Sequence, residues 1–436
     1  MSTPEQSAPR TSSFLTFLAS APSTWFWLLC VDLYPALAAF SLPWSTSAVA
    51  IFMVVWLIVL FPTINWREFL TSLKRPESFL PIVFFALAVL GMLWAEGPWG
   101  ARFQGLHPVS KLLAIPLLLH HFSRSRRSSW IFIAFFSSCV LLMGFSWIMY
   151  FVPSLKFAAS NTAGVPVKNY IDQSHEFSLC LLAAAPLLLT LVARNRWELA
   201  LCCAVLLLGF FCNMMFVAVA RTAFVYLPVL LMAFAVRYLK PRWALCLLAA
   251  GPVIAALVWF TSPYVRYRAD RTIYEYRTSQ NTDAANSAGE RLAYWRASIG
   301  AIEKAPLFGR GTGSTKQVLA QVAEGKTGEW ANSIRNPHNQ TLYVVTQWGV
   351  LGGIVLYTMW YFHLSIFLEL TLAGWIGLVV VAQNFVSSLF NSHLFDFHEG
   401  WIYVLGVGVA GGMAVRAKSR QEDGVGGHAL PQVRAS

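Results

Sequence analysis

The sequence predicts an all-α polytopic membrane protein with about 12 transmembrane helices and a large, partly helical periplasmic loop before the last three spans. Of the 436 residues, 57% are hydrophobic and only 12% are charged, whereas a soluble domain contains about 25% charged residues. The apolar residues form long runs instead of alternating with polar ones, as expected of helices that cross a membrane. These proportions exclude a water-soluble globular protein, a disordered chain and a nucleic-acid-binding protein, despite a formal net charge of +12.

Twelve apolar segments follow one another along the chain, and a transmembrane helix needs about 20 such residues. The segments cover approximately residues 25–43, 46–64, 79–95, 109–122, 130–152, 176–193, 199–219, 222–238, 243–261, 340–362, 371–391 and 399–416. The fourth segment is short and contains proline, so we expect it to be tilted, re-entrant or buried against its neighbours.

Nearly every second junction between these segments is basic, and short basic loops remain in the cytoplasm. The basic residues are Arg67, Lys74, Arg75, Arg124, Arg126, Arg127, Arg194, Arg196, Arg237, Lys240, Arg242, Arg416, Lys418 and Arg420. The junction after the tenth segment is the exception, since it contains neither Lys nor Arg. The predicted order is a cytoplasmic N-terminal tail (1–24), spans 1–9 (25–260), a periplasmic loop (261–339), spans 10–12 (340–416) and a cytoplasmic C-terminal tail (417–436). The N-terminal tail lacks the short apolar core and cleavage site of a signal peptide.

Arg221 interrupts an apolar stretch that otherwise runs from Leu199 to Leu239. A charge at such a position is costly and usually faces a cavity, a partner or a ligand. The alternative is that Arg221 marks the outer hairpin between two spans and extends its side chain to the lipid headgroups. We favour a functional role for this arginine.

The hydrophilic segment 261–339 contains one clearly marked helix. Ser287 and Glu290 have the spacing of a capping box, and the helix is expected to run from about Ala288 to Lys304, ahead of Pro306. Arg291 then lies in the first turn, where the helix dipole favours anions over cations. A bound phosphate would explain an arginine there, although a solvated arginine paired with a nearby acid is the more common arrangement.

Arg266, Arg268 and Arg271 form a second basic cluster, which could bind lipid phosphates.

A glycine-rich sequence, Phe308-Gly-Arg-Gly-Thr-Gly313, follows this helix. Backbone amides in such a turn can bind phosphate. The sequence lacks the Gly-Lys-Ser/Thr ending of a nucleotide-binding loop, however. A tight turn is at least as good an interpretation.

His338 lies in Arg335-Asn-Pro-His-Asn-Gln340, just before the tenth apolar segment. Pro337 restricts Asn336 to extended geometry, so His338 is expected where the loop turns into the helix. A histidine at this junction can accept a proton near neutral pH. The alternative is a histidine that serves only as a polar cap at the membrane interface.

Several other residues have side chains that could bind a metal ion. They are His393, Asp396, His398 and Glu399, with His175 and Glu176 as weaker candidates. A bend between two helices orders the same residue types for hydrogen bonding, so we expect no metal. The seven cysteines all lie in apolar segments, which predicts neither a disulfide framework nor a cysteine metal site.

The order and spacing of these features resemble the O-antigen ligase/polymerase superfamily over most of the chain. Three motifs carry the resemblance: Val219-Ala-Arg221-Thr-Ala-Phe-Val225; Arg291-x-x-x-Trp295 followed by Pro306-Leu-Phe-Gly-Arg-Gly-Thr-Gly313; and Pro337-His338-Asn339-Gln340-x-Leu342. Relatives commonly have serine where this chain has Ala220. Each motif alone has little specificity for the family. Their order and spacing on this topology make the resemblance specific.

The resemblance implies an inverting, metal-independent glycosyltransferase of the bacterial inner membrane, active on its periplasmic face without a cofactor. The donor would be O-antigen glycan on undecaprenyl diphosphate, and the acceptor a sugar hydroxyl of lipid A–core, both embedded among membrane lipids. The implied catalytic residues are His338, Arg291 and Arg221; the implied diphosphate-binding residues are Arg221, Arg291 and Arg266; the implied supporting residues are Trp295, Asn339 and Glu290.

These residue types suit the implied reaction. Arginines can stabilise the charge that grows on the departing lipid diphosphate. His338 is the candidate for accepting the proton of the attacking hydroxyl, and direct attack inverts the anomeric centre. A two-step reaction would need a carboxylate nucleophile, for which only Glu290 is near in sequence.

Two other functions remain open. An O-antigen polymerase or a protein O-oligosaccharyltransferase of the same superfamily would share the donor and differ in the acceptor. The length of the chain and the lack of an added soluble domain favour a ligase. A transporter or flippase for the lipid-linked glycan would have charged residues at mid-membrane depth and repeated halves, whereas Asp32 is the main charged residue within a predicted span.

Overall fold

The computed structural model describes residues 21–155, 163–281, 287–323 and 336–422. These residues form helices and no strand. The α-helices, numbered in chain order, are α1 (Ala21–Ser41), α2 (Thr46–Leu60), α3 (Trp66–Ser72), α4 (Pro76–Leu90), α5 (Trp99–Ser110), α6 (Ala114–Phe122), α7 (Ser129–Phe151), α8 (Tyr170–Ala193), α9 (Trp197–Phe216), α10 (Ala223–Tyr238), α11 (Pro241–Thr261), α12 (Pro263–Asn281), α13 (Ser287–Lys304), α14 (Ser314–Ala323), α15 (Gln340–Ser365), α16 (Leu372–Ser387) and α17 (Phe397–Glu422).

The structure confirms an all-helical protein with several helices that can cross a membrane. Among the residues that the structure describes, seven segments are long and apolar enough to do so: Thr46–Thr63, Ser129–Phe151, Tyr170–Ala193, Trp197–Phe216, Pro241–Thr261, Gln340–Ser365 and Phe397–Arg420. Four apolar helices are shorter: Phe26–Ser41, Pro76–Leu90, Ala223–Tyr238 and Leu372–Ser387. The count of twelve spans and the side on which residues 261–339 lie stay predictions.

The fourth predicted segment, 109–122, differs most from a regular span. Its regular helix, α6, has nine residues, which gives a length of about 14 Å against a hydrocarbon core of about 30 Å. A 3₁₀ turn, Lys111–Leu113, connects α6 to α5. Proline at positions 108 and 116 accounts for the irregularity, because it removes backbone donors from the helix.

Helices α15 and α17 lie at the centre of the bundle, whereas α11 is almost entirely exposed at its edge. Glycines allow α17 to approach α6 closely, as is common between membrane helices. A Cβ at Gly408 would lie 2.5 Å from a side-chain atom of Leu118, and one at Gly412 would lie 2.8 Å from Phe122. Substitution of either glycine would therefore separate α17 from α6.

Helix α15 is interrupted at Trp348 and Gly349, which have non-helical backbone angles. The glycine-rich loop fills the break: Arg310 N–H donates to Thr346 O (2.9 Å) and Gly311 N–H donates to Gln347 O (2.8 Å). Gly309 has a φ of +65°, and a Cβ there would lie 2.5 Å from the backbone of α15. The loop amides thus bind carbonyls of a broken helix, and the loop is a tight turn that fixes α15.

The predicted topology can be tested by cysteine labelling. The seven native cysteines, all free thiols, are replaced, and single cysteines are introduced at the exposed positions Glu303 and Thr71. In intact spheroplasts, an impermeant thiol reagent should label Glu303→Cys and leave Thr71→Cys unlabelled until the membrane is permeabilised. Equal labelling of both positions would contradict the orientation inferred from the basic junctions.

Candidate active site

His338 lies in the short segment that leads into α15. Its backbone has a φ of +49°, a left-handed conformation that is uncommon for residues other than glycine. Two hydrogen bonds hold this turn: His338 N–H donates to Asn336 Oδ1 (2.9 Å), and Trp295 Nε1 donates to Pro337 O (2.7 Å). Trp295 of α13 therefore connects two of the three sequence motifs directly.

Asn339 caps the start of α15. Its Oδ1 accepts from Leu342 N–H (3.0 Å), and its Nδ2 donates to Leu389 O (3.0 Å). Gln340 N–H donates to Ser388 O (2.8 Å). The turn that carries His338 is thereby fastened to the loop that follows α16, residues 388–396.

The His338 ring contacts that same loop. Its Nδ1 lies 2.8 Å from Asn391 Oδ1, and Asn391 Nδ2 lies 2.9 Å from His393 Nε2. The sequence analysis missed Asn391 and treated His393 as a possible metal ligand. Only the polar character of Asn391-Ser-His393 between two apolar segments hints at this contact, because 53 residues separate His338 from Asn391.

Arg291, in the first turn of α13, lies close to both Arg221 and His338. Burial lowers the pKa of Arg291, and the charge of Arg221 lowers it further. Burial also lowers the pKa of His338, and the Arg291 guanidinium adds to this effect, while the hydrogen bond with Asn391 opposes it. Arg291 therefore interacts electrostatically with both of the other residues that the sequence predicts to be catalytic, Arg221 and His338.

Arg221 forms an ion pair that the sequence does not reveal. Its Nη1 donates to Glu275 Oε2 at 3.2 Å, and Arg271 Nε donates to the other oxygen of that carboxylate at 2.9 Å. Glu275, on α12, is only 6% exposed. Within the described part of the chain, the buried Nε of Arg221 has no hydrogen-bond partner.

Arg266 is placed differently from the other two predicted diphosphate ligands. Its Nη1 donates to the carbonyl oxygens of Trp259 (2.9 Å) and Phe260 (2.7 Å), at the end of α11. Glu290 lies in the first turn of α13, next to Arg291. The side chains of Ser287 and Arg268, and all of Arg335, lie outside the described residues, so the capping box has no structural description, although α13 itself begins at Ser287.

The residues considered for metal binding have other contacts. Within the described ranges, no group of three or more His, Cys, Asp or Glu side chains converges as a metal site would. His398 Nε2 lies 2.8 Å from Glu176 Oε1 without hydrogen-bond alignment. Lys111 Nζ donates to the backbone oxygen of Asp396. His393 bonds to Asn391 and to Ser387 Oγ (2.7 Å).

One family match covers the part of the chain that contains these residues. Residues 203–357 match the sequence model of the family described as O-antigen ligase. The matched segment includes Arg221, Arg291 and His338 together with the glycine-rich turn. A search of curated proteins finds no match. This match supports membership of the O-antigen ligase superfamily.

Proposed function

We propose that the protein is an O-antigen ligase, an inverting glycosyltransferase that requires no metal. It moves O-antigen glycan from undecaprenyl diphosphate to a sugar hydroxyl of lipid A–core, on the periplasmic face of the bacterial inner membrane. The observation that carries the proposal is the hydrogen bond from Trp295, one turn after Arg291, to the carbonyl oxygen next to His338, within a segment that matches the O-antigen ligase family. The family match supports lipid-linked glycan substrates in general.

The two arginines provide the charge that the donor requires. When the bond between the anomeric carbon and the phosphate oxygen breaks, the electron pair stays on the diphosphate, whose negative charge increases. Arg221 and Arg291 can stabilise this charge in the transition state, since a guanidinium binds two phosphate oxygens at once. Glu275 neutralises part of the charge on Arg221, and the diphosphate would compete with this carboxylate for the arginine.

His338 provides the proton acceptor. Its lowered pKa keeps the ring neutral at pH 7, as a general base must be. As the acceptor oxygen bonds to the anomeric carbon, the hydroxyl proton passes to the ring nitrogen Nε2. Attack opposite the departing diphosphate inverts the configuration at the anomeric carbon.

The identity of the acceptor separates this function from its closest alternatives. Purified protein is incubated with radiolabelled undecaprenyl-diphosphate glycan, lipid A–core and a pilin-like protein. A ligase moves the label to lipid A–core. Label in free polymer would instead identify an O-antigen polymerase, and label in protein would identify an O-oligosaccharyltransferase. Label that crosses a vesicle membrane without transfer would identify a transporter.

The proposed mechanism predicts that transfer survives chelation of metal ions. Arg221 and Arg291 supply the positive charge that a divalent cation supplies in other glycosyltransferases. The initial transfer rate should therefore change less than about twofold in excess EDTA. A rate that EDTA abolishes and Mn²⁺ or Mg²⁺ restores would contradict the arginine mechanism. A magnesium-dependent glycosyltransferase in the same buffer serves as the control for complete chelation.

A further inference from the structure

A continuous chain of hydrogen bonds connects His338 to the last turn of α16. His338 Nδ1 lies 2.8 Å from Asn391 Oδ1, Asn391 Nδ2 lies 2.9 Å from His393 Nε2, and His393 Nδ1 lies 2.7 Å from Ser387 Oγ. Ser387 Oγ in turn donates to the backbone oxygen of Asn384 at 3.3 Å. Three side chains thus separate the predicted base from a backbone carbonyl.

The donor and the acceptor in each of these hydrogen bonds follow from the bond between Ser387 and Asn384. With the Ser387 hydroxyl proton donated to Asn384 O, Ser387 Oγ accepts from His393 Nδ1–H. A neutral His393 then has its lone pair on Nε2, which accepts from Asn391 Nδ2–H. The amide oxygen of Asn391 consequently faces His338 and accepts from Nδ1–H. The proton of His338 is therefore on Nδ1, and its lone pair is on Nε2.

His393 has a single ring proton, because its buried surroundings disfavour a second one. The His393 side chain is fully buried and packs edge-on against the His175 ring, with 4.5 Å between the centroids. Burial lowers its pKa well below the usual value, and the positive charge of Arg291 lowers it further. A protonated His393 would donate from both nitrogens and would reverse the amide of Asn391.

We infer that Asn391 and His393 are positioning residues, which hold His338 in the Nδ1–H tautomer and present the Nε2 lone pair to the acceptor hydroxyl. The catalytic consequence rests on the proposed function, whereas the tautomer is a property of the protein alone. A histidine that served only as an interfacial cap would need its backbone turn but no fixed tautomer. Known hydrolases use an acceptor on the second histidine nitrogen in the same way, to fix ring orientation and tautomer.

Nitrogen NMR of the protein labelled with ¹⁵N-histidine tests the tautomer directly, because protonated and unprotonated ring nitrogens resonate far apart. The His338 signals are assigned by their loss in His338→Gln. We expect the Nδ1–H form in the wild type at pH 7 and a mixture of tautomers in Asn391→Leu. A wild-type ring protonated at Nε2 would overturn the inference. The expected tautomer in a protein without transfer activity would refute the proposed function alone.

Kinetics distinguish positioning from a structural role. Asn391→Leu should lower single-turnover transfer by about 10–100-fold without changing donor affinity. Asn391→Asp keeps an acceptor for His338 Nδ1–H. Its second carboxylate oxygen requires His393 to move its proton to Nε2 and to accept from the Ser387 hydroxyl at Nδ1. The variant should then retain transfer, but its carboxylate raises the pKa of His338. The acid limb of its pH–rate profile, where activity falls as His338 becomes protonated, should therefore move to higher pH. An unchanged rate in Asn391→Leu, or an unmoved acid limb in Asn391→Asp, would contradict the role assigned to Asn391.

A matched control is available at Asn213. This amide is fully buried, whereas Asn391 is partly buried, and it bonds to Gln173 and Ser146. Asn213→Leu removes the same hydrogen-bonding group from a buried position. It should leave the His338 tautomer and the pH profile unchanged. A shifted profile in this variant would show that general loss of packing explains the effect of Asn391→Leu.

Discussion

Replacement of His338 by alanine is expected to lower the rate of glycan transfer by about 10²–10⁴-fold, the usual contribution of a general base. Donor binding should stay nearly intact, because His338 acts on the acceptor hydroxyl and makes no charged contact with the diphosphate. The measurement is single-turnover transfer at saturating donor and acceptor. His107→Ala, which removes an exposed histidine from α5, is the control and should retain full activity.

The pH dependence of transfer gives a second measure of the same residue. Burial and Arg291 lower the pKa of His338, so the ring stays neutral above this lowered value and becomes protonated as the pH falls through it. Activity should therefore persist to a lower pH than an ordinary histidine would allow. Arg291→Gln removes the positive charge and should shift the acid limb to higher pH. A limb that moves to lower pH would contradict the contact between these two residues.

The second large effect is expected for the arginines. Arg291→Ala and Arg221→Ala should each weaken donor binding by about 10–100-fold, because a hydrogen bond to a charged group contributes about 1.5–3 kcal/mol. Turnover should fall as well, since the same contacts strengthen as the diphosphate departs. Lysine at either position should recover only part of the loss, because it restores the charge without the planar guanidinium.

Arg296 offers a control on the same helix. It is exposed and lies five residues after Arg291 in α13, so Arg296→Ala removes one positive charge without touching the site. Its donor affinity, measured by equilibrium binding in the same detergent, should match the wild type. An equal loss in Arg296→Ala and Arg291→Ala would mean that net charge, rather than the site, governs donor binding.

Much of this arrangement could be predicted from the sequence, because it depends on local pattern. The apolar runs coincide with helices, and α13 begins at Ser287 and ends at Lys304, close to the predicted bounds. Arg221 and Arg291 were identified from charges placed where an apolar run or a helix dipole makes them costly. The unfavourable free energy of such a charge depends on its local sequence, so it can be judged for each residue separately.

The contacts that complete the site could not be predicted in this way. Glu275 reaches Arg221 from 54 residues along the chain, and Asn391 reaches His338 from 53 residues along it. Nothing in the spacing of a single sequence encodes such pairs, which form only when separate helices pack. Arg266 differs from these two, because its guanidinium binds carbonyls only six and seven residues earlier in the chain.

The break in α15 shows a further limit. The tenth apolar segment gives no warning of an interruption at Trp348 and Gly349, because a glycine within a membrane helix is common. The sequence shows that the loop is glycine-rich. It does not show that the loop amides donate to the freed carbonyl oxygens of α15. Local composition predicted a tight turn, and tertiary packing determined what it binds.

In the proposed mechanism, the arginines bind the donor diphosphate and His338 accepts the proton of the acceptor hydroxyl. The most direct test measures donor affinity and single-turnover rate for His338→Ala, Arg291→Ala and Arg221→Ala in one detergent, with each variant shown to be folded. We predict that both arginine variants lose donor affinity and rate, and that His338→Ala loses rate alone. Donor affinity lost in His338→Ala and retained in both arginine variants would contradict this division of roles.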